Sequence, residues 1–304
     1  MKRDLITQDA KNNIIRLDRN ECICPSVIRD VIQKADLQPI DYCLYTSAYD
    51  FIDALSDKIK ANSNNVYIDN GSECVLKNLI SLLPCSDWVV PNPTFELFPV
   101  YCELFKKRIH HIPFLYENYK FSINIPKIKG YGLYLVDPHN PTGISYSAEE
   151  IILYCSYYQY VILDQAYLDP LTNISSFPSN LIIVRTFSKL GGMTGMRLGY
   201  CYSSDEEIIH RLNRFRPMFI NSVSLKFAMV LVLGSYTQKI LNEFNVVKNI
   251  LKHRFADDYI LECGNFILLK NMSNYKGYHL KQYNISHEKF YRMTVFDLET
   301  FHLL

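Results

Sequence analysis

The sequence predicts an α/β protein with two parts: a large domain built on a three-layer, mostly parallel sheet, and a smaller α+β domain. Three observations carry that expectation. Short apolar runs alternate with amphipathic stretches through the middle of the chain, the mark of helices layered on a sheet. The runs 132–136 (GLYLV), 160–163 (YVIL) and 181–184 (LIIV) are apolar throughout, as strands covered on both faces must be. After about residue 216 the order changes to helix, helix, strand, strand.

Taken in order, 47–62 reads as a helix, with Phe51, Leu55 and Ile59 four residues apart on one face. A second helix, 73–83, opens directly after Asn70-Gly71, with Ser72 as its expected N-cap. Residues 87–90 form a short strand that Pro91 and Pro93 should stop, and 132–136 a buried strand. Ser147 and Glu150 make a capping box ahead of IILYCSYY, which places a helix there. The runs 160–163 and 181–184 have the length and composition of central parallel strands. Helices are expected over 222–233 and 236–254, then strands over 265–270 and 291–295. A boundary near Arg216-Pro217 gives three parts: an N-terminal segment (1–30) packing with the small domain, a large domain (31–215) and a small C-terminal domain (216–304). Repeats, low-complexity tracts and Gly/Ser linkers are absent, so the two domains should pack closely.

Composition narrows the function. A chain of 304 residues, 48% hydrophobic and 21% charged, has the makings of a folded core rather than a disordered chain. With 32 basic against 31 acidic residues there is no global field to gather nucleic acid or anionic membrane. Nine scattered cysteines without CxxC pairs point to thiols in a reducing compartment, and Cys22-x-Cys24 is poor zinc spacing. The N-terminal stretch lacks the apolar core of a signal peptide, and no run is long enough to span a bilayer. The expectation is a cytoplasmic protein without nucleic-acid or membrane partners.

Ligands of open α/β sheets sit beyond the carboxyl ends of the strands, so the residues that follow each strand matter most. After 132–136 comes Asp137-Pro138-His139-Asn140-Pro141-Thr142-Gly143; after 160–163 come Asp164 and Tyr167. After 181–184 come Thr186, Ser188 and Lys189, then a glycine-rich turn reaching Arg197. Singly these have ordinary readings: Asn-Pro-Thr-Gly is a common turn, a strand-end aspartate can cap a helix, and a lysine is usually solvated. The glycines 191, 192 and 195 lack GxGxxG order, and there is no GxxxxGK[ST] loop. Together, however, the residues match the needs of an aldehyde cofactor with a phosphate tail. An amine can form a Schiff base, a carboxylate can face a pyridine nitrogen, hydroxyls and an arginine can hold a phosphate, and an aromatic ring can stack.

The run TFSKLGGMTGMRLGY (186–200), with NPTG (140–143) and DQAY (164–167), resembles the fold-type I, pyridoxal-phosphate-dependent aminotransferases of class I/II. Within these the chain is most similar to the histidinol-phosphate aminotransferases and their relatives, over about Leu17 to Arg292. The resemblance implies that Lys189 is the Schiff-base lysine and proton shuttle. It pairs Asp164 with the pyridine nitrogen and places Asn140 and Tyr167 on the ring hydroxylate, with Phe95 (in PTF, 93–95) stacked on the ring. Gly71 and Ser72 (in NGSE, 70–73), Thr186, Ser188 and Arg197 would hold the phosphate. Tyr45 would reach it from a neighbouring subunit, which makes the expected enzyme a homodimer with shared active sites. Arg292, Lys281 and Asn20 are the implied substrate contacts.

The departures fall on the substrate side. Lys281 stands where relatives usually carry a second arginine, the N-terminal segment reads NECICPS without the usual Pro-x-Gly pattern, and the C-terminal domain is short. A lysine holds an oxyanion as a point charge but loses the planar fork. The expected activity is transfer of an amino group between a donor such as glutamate and a small phosphorylated or acidic carbonyl compound. The alternatives are decarboxylation of a phosphorylated amino acid, which uses the same electron sink, and a non-catalytic binding protein that kept the fold.

Overall fold

The computed structural model describes residues 15–175, 177–215, 220–271 and 278–299. Seven strands form the main sheet: β1 (Val66–Asp69), β2 (Asp87–Asn92), β3 (Arg108–Pro113), β4 (Gly132–Val136), β5 (Tyr160–Asp164), β6 (Leu181–Thr186) and β7 (Gly199–Tyr202). Their spatial order is β1-β7-β6-β5-β4-β2-β3. Every pairing from β6 to β3 is parallel; β7 alone is antiparallel to both its neighbours. The sheet is thus mixed but mostly parallel, and it aims the carboxyl ends of β2, β4, β5 and β6 at one rim.

Among the described residues the α-helices are α1 (Pro25–Lys34), α2 (Tyr49–Ile59), α3 (Ser72–Leu82), α4 (Leu97–Leu104), α5 (Ala148–Tyr157), α6 (Glu206–Phe215), α7 (Ser222–Leu233) and α8 (Tyr236–Arg254). One face of the sheet presents Tyr67, Trp88, Tyr134, Ile162 and Val184 to a core shared with α3, α4 and α6. The opposite face packs Leu133, Leu135, Val161 and Ile183 against α5, and Val66 and Ile68 against a core that takes in α1, α2, α7 and α8. Residues 160–164 and 181–186 are buried almost throughout because neither side of the sheet meets water.

A second, four-stranded antiparallel sheet follows α8: β8 (Tyr259–Cys263), β9 (Phe266–Leu269), β10 (Lys281–Ile285) and β11 (Glu288–Thr294), ordered β8-β9-β11-β10. The N-terminal segment is stitched to this part. Ile15–Arg16 pairs with Tyr278–His279, Ile23 bridges Phe296, and Asp297 accepts hydrogen bonds from Ser26 N and Ser26 Oγ, 3.1 and 2.7 Å.

Several expectations are corrected. Ser72 is the first residue of α3 and Gly71 is its cap, so no side chain caps this helix. Strand β2 does not stop at Pro91 but runs to Asn92. Its pairing with β4 covers only Trp88 and Val89, so the missing proline donor falls where that ladder has already ended. The helix expected over 47–62 is confined to α2, ended by Lys60 in the left-handed conformation (φ +58). The boundary at Arg216-Pro217 lies outside the described residues. Strands β1, β3 and β7 and helices α1, α4 and α6 carry no element in the sequence reading. Among the described residues no helix is long and apolar enough to cross a membrane.

Candidate active site

The rim of the main sheet gathers most of the residues singled out above. Asp164 closes β5 and is 4% exposed. The phenol of Tyr134, one strand over on β4, donates to its Oδ2 at 2.7 Å, and Ala166 N donates to Oδ1 at 3.1 Å. Burial raises its pKa to about 6, against the lowering pull of those donors and of Lys189. Tyr134 is itself fixed by a stacked Phe98, ring centroids 3.7 Å apart.

Lys189 follows β6, and its Nζ donates to the carbonyl of Asn20 at 2.5 Å. Burial first, then the nearby Arg292 charge, lowers its pKa to about 8. Asn140, from the turn after β4, donates from Nδ2 to the Tyr167 phenol at 2.5 Å. Burial raises the pKa of that phenol while Arg292 lowers it. Arg292, on β11, is 6% exposed; it donates to the Asp18 carbonyl and, at 3.1 Å, to the Tyr283 phenol. Lysine, tyrosine and arginine from three distant stretches thus share one electrostatic neighbourhood.

A second corner forms where α3 begins beside β7. Gly71 adopts φ +87, a conformation that side chains disfavour, and a Cβ there would lie 2.9 Å from Arg197 Nη2. Gly199 allows the close approach: a Cβ on it would stand 2.2 Å from Ser72 N. Arg197 Nη1 donates to Ser188 Oγ and to Thr194 O, both at 3.2 Å, and its Nη2 lies 3.7 Å from the Glu73 carboxylate. Helix-start amides, a hydroxyl and a guanidinium are the donors that an oxyanion needs. The Thr186 hydroxyl is occupied below it, accepting from Ser188 N (3.1 Å) and donating to Leu198 O (3.3 Å).

Tyr45 sits apart from this cluster, and Lys281 lies at its edge, opposite Arg292. Tyr45 is 82% exposed, between the turn Pro39–Tyr42 and α2. Lys281 lies on β10, in an ion pair with Glu96, the residue after Phe95. Phe95, 38% exposed, belongs to the loop after β2, and His139 ties that loop down. His139 is fully buried and its pKa is lowered to about 3, so its imidazole is neutral. Nε2 lies 3.0 Å from the Pro93 carbonyl and must donate to it, which leaves Nδ1 to accept from Thr142 Oγ1 at 2.8 Å.

Sequence reasoning missed Tyr134, His139, Thr194 and Asn265. Thr194 Oγ1 accepts from Cys22 N (3.0 Å) and donates to Ser188 O (2.5 Å); Asn265 Nδ2 reaches the carbonyls of Asn20 and Glu21 at 3.2 and 3.1 Å. The only signals were a tyrosine inside an apolar strand and a histidine inside a turn, both common. Cys22 is held by Thr194, and burial pushes its thiol pKa far up, so it is not a thiolate beside Lys189.

The residues fit pyridoxal phosphate. Asn140 Oδ1, both side-chain polar atoms of Asn20, Thr94 Oγ1 and Arg292 Nε are buried without a protein partner. Buried polar groups are rarely left so. Asn20 meets Lys189 through its carbonyl, Arg292 acts on Lys189 electrostatically, and Asn140 bonds Tyr167, whose ring lies 6.0 Å from Lys189 Nζ, so these groups mark a place built for a polar guest.

Residues 11–289 match the family "aminotransferase class I and II". The chain belongs to that family. It is 28% identical over 273 residues to a histidinol-phosphate aminotransferase of Lactococcus lactis subsp. cremoris (strain SK11), covering 84% of this chain and 74% of the relative. It is 28% identical over 257 residues to another from Pyrococcus furiosus, covering 79% and 71%. Among solved structures it resembles the histidinol-phosphate aminotransferase of Sinorhizobium meliloti in complex with pyridoxal-5'-phosphate, with TM-score 0.78, 18% identity and 99% and 93% of the two chains covered. The L-threonine-O-3-phosphate decarboxylase of Porphyromonas gingivalis has the same fold, with TM-score 0.73, 15% identity and 95% and 97% covered. The protein is a pyridoxal-phosphate-dependent aminotransferase of the histidinol-phosphate aminotransferase subgroup. As an aminotransferase it takes a small-molecule amino donor and a carbonyl acceptor.

Proposed function

We propose that this aminotransferase moves an amino group between an acidic donor such as glutamate and a small carbonyl compound whose far end is a phosphate or a second acidic group. The observation that carries the reading is the buried Arg292, its Nε without a protein partner, with Lys281 directly opposite it on the neighbouring strand. The named relatives, which act on histidinol phosphate, support a phosphorylated partner.

Bound at this rim, pyridoxal phosphate supplies a protonated pyridine ring that withdraws the electron pair left when a bond to the substrate Cα breaks. Asp164 would supply the anion for the ring nitrogen, whose cationic N–H would lower the carboxyl from the raised value that burial gives it. Asn140 and Tyr167 would hold the ring oxygen, and Phe95 would stack on the ring. Gly71, Ser72, Thr186, Ser188 and Arg197 would hold the phosphate, Thr186 through its grip on Ser188. Lys189, with a pKa of about 8, keeps an appreciable neutral fraction near pH 7 and takes the proton from the substrate Cα at Nζ. Arg292 grips the substrate carboxylate with Asn20 beside it, and Lys281 receives the far oxyanion.

The 31–215 and 216–304 parts are read as two domains with the substrate between them, the 1–30 segment packing with the second. Tyr45 is assigned to the active site of a neighbouring copy, which makes the working enzyme a homodimer. Nine unpaired cysteines support a cytoplasmic setting.

The test is the visible absorption of the protein reconstituted with pyridoxal phosphate. The band is expected to bleach with an acidic amino donor and return with a phosphorylated carbonyl acceptor. Lys189→Ala should lose that response and turnover while keeping its far-ultraviolet circular dichroism. A band that persists while carbon dioxide leaves a phosphorylated amino acid would reject amino transfer in favour of decarboxylation.

A further inference from the structure

Residues 20–22 run between the second sheet and the rim of the main sheet without joining a strand, so their backbone groups need side-chain partners. The second part of the chain supplies two. Asn20 N donates to Thr294 Oγ1 at 3.0 Å, and Asn265 Nδ2 donates to the carbonyls of Asn20 and Glu21. The main-sheet side supplies two more. Lys189 Nζ donates to the Asn20 carbonyl, and Cys22 N donates to Thr194 Oγ1 at 3.0 Å. The lysine bond is given up when Lys189 turns to the cofactor; the threonine bond is not.

Thr194 is also tied into the turn assigned to the phosphate. Its hydroxyl has one proton to give, and gives it to Ser188 O at 2.5 Å, the carbonyl of the peptide that joins Ser188 to Lys189. Its own carbonyl accepts from Arg197 Nη1 at 3.2 Å, and the same Nη1 reaches Ser188 Oγ at 3.2 Å. Ser188, Thr194 and Arg197 thus close a ring of hydrogen bonds, with the Lys189 peptide on its edge. We propose that Thr194 is a positioning residue for both ligands of the site: its one hydroxyl sets the substrate-facing segment Asn20–Cys22 against the phosphate-binding turn, so substrate and cofactor affinity depend on the same group.

The turn itself does not need this hydroxyl to fold. Main-chain bonds close it: Gly192 N to Lys189 O at 3.1 Å, Met193 N to Phe187 O at 2.9 Å and Met196 N to Met193 O at 3.0 Å. What the side chain adds is a group that donates and accepts at once. Serine keeps both functions. Valine, of the same shape as threonine, has neither, and leaves Cys22 N and Ser188 O without this partner.

The experiment compares wild type, Thr194→Val and Thr194→Ser in two titrations. Pyridoxal phosphate is added to the apoprotein and followed by its absorption band. Succinate, an unreactive acid for Arg292, is added to the cofactor-saturated holoenzyme and followed by calorimetry. Thr194→Val should weaken each ligand about five-fold, one lost hydrogen bond on either side, and Thr194→Ser should bind both as wild type does. Asn265→Ala loosens the same segment from the second sheet; with Thr194 intact it should weaken succinate alone. A Thr194→Val protein in which only one ligand is weakened, or neither, would overturn the proposal. So would failure of serine to restore binding, or a cofactor loss in Asn265→Ala equal to that in Thr194→Val. Thermal midpoints and far-ultraviolet circular dichroism of each variant separate these outcomes from misfolding. Thr194 has this role only if Arg197 holds the phosphate and Arg292 the substrate, as assigned above, and those assignments are tested apart. Arg197→Gln should weaken pyridoxal phosphate, and Arg292→Gln succinate, by about tenfold or more. Full binding in either would sink the assignment and the role of Thr194 with it; the expected losses there, beside an unmoved Thr194→Val, would reject Thr194 alone.

Discussion

Asp164 places a carboxylate where water cannot reach it, held by a phenol and a backbone amide. In the cofactor-free protein its pKa of about 6 stands above the ordinary 3.8, so the native state keeps a proton that the unfolded chain has released. The sign follows: this group makes the fold less stable as pH rises from about 4 to 6, by up to about 3 kcal/mol, and adds nothing further above that window. Other carboxylates act in the opposite sense. Asp87, held low first by Arg108 and then by His110, contributes stability that is lost on acidification. The clean measurement is therefore a difference: apo wild type minus apo Asp164→Asn, by denaturant unfolding between pH 4 and 7. Wild type should lose stability relative to Asp164→Asn as pH rises to about 6, and the difference should then stay constant. Removing the phenol in Tyr134→Phe should push the end of that window higher. An identical pH profile for wild type and Asp164→Asn would mean that the carboxyl is not desolvated as described.

At the scale of elements, caps and close approaches decide how well the site is built. The capping box of α5 has both its bonds, Ser147 N to Glu150 Oε2 at 2.8 Å and Glu150 N to Ser147 Oγ at 3.2 Å, and it is exposed to solvent. Ser147→Ala should therefore cost about 1 kcal/mol of stability and leave cofactor affinity unchanged. Gly199→Ala is the contrasting case. Its Cβ would meet the backbone of Gly71 and Ser72 at 2.6 and 2.2 Å, and backbone cannot swing aside. Strand β7 and the start of α3 must then separate, and the corner assigned to the phosphate opens with them. Cofactor dissociation should rise at least tenfold, beside a stability loss of about 2–3 kcal/mol. Equal cofactor affinity in Gly199→Ala would place the phosphate elsewhere. The capping box was legible because its chemistry is local. The β7–α3 contact was not, because nothing near Gly199 announces which backbone it will touch.

At the scale of the whole molecule the open question is what covers the exposed stretch around Tyr45. Ile40, Tyr42, Leu44 and Tyr49 are exposed with it, a concentration of large apolar side chains that a second copy would bury. If Tyr45 completes a neighbour's active site, two inactive variants should complement each other. Lys189→Ala and Tyr45→Ala, mixed under conditions of subunit exchange, form hybrids in which one of two sites has both groups intact. About a quarter of wild-type activity should return at equal mixing. No recovery, with exchange confirmed by native mass spectrometry, would reject the shared site.

The chain by itself determined the apolar strands buried on both faces, the helices at 222–233 and 236–254, and the order of polar residues after each strand. Those properties are short-range: burial on both faces demands unbroken apolar runs, and rim residues must follow the strands that aim them. Only the tertiary structure decided the rest, for one physical reason. The partners lie far apart in sequence: Lys189 rests on Asn20, His139 holds Pro93, Tyr134 braces Asp164, and Glu96 meets Lys281. A sequence states which groups are present; the packing of one layer on another decides which of them share a desolvated space, and hence which carry a shifted proton or an open hydrogen bond.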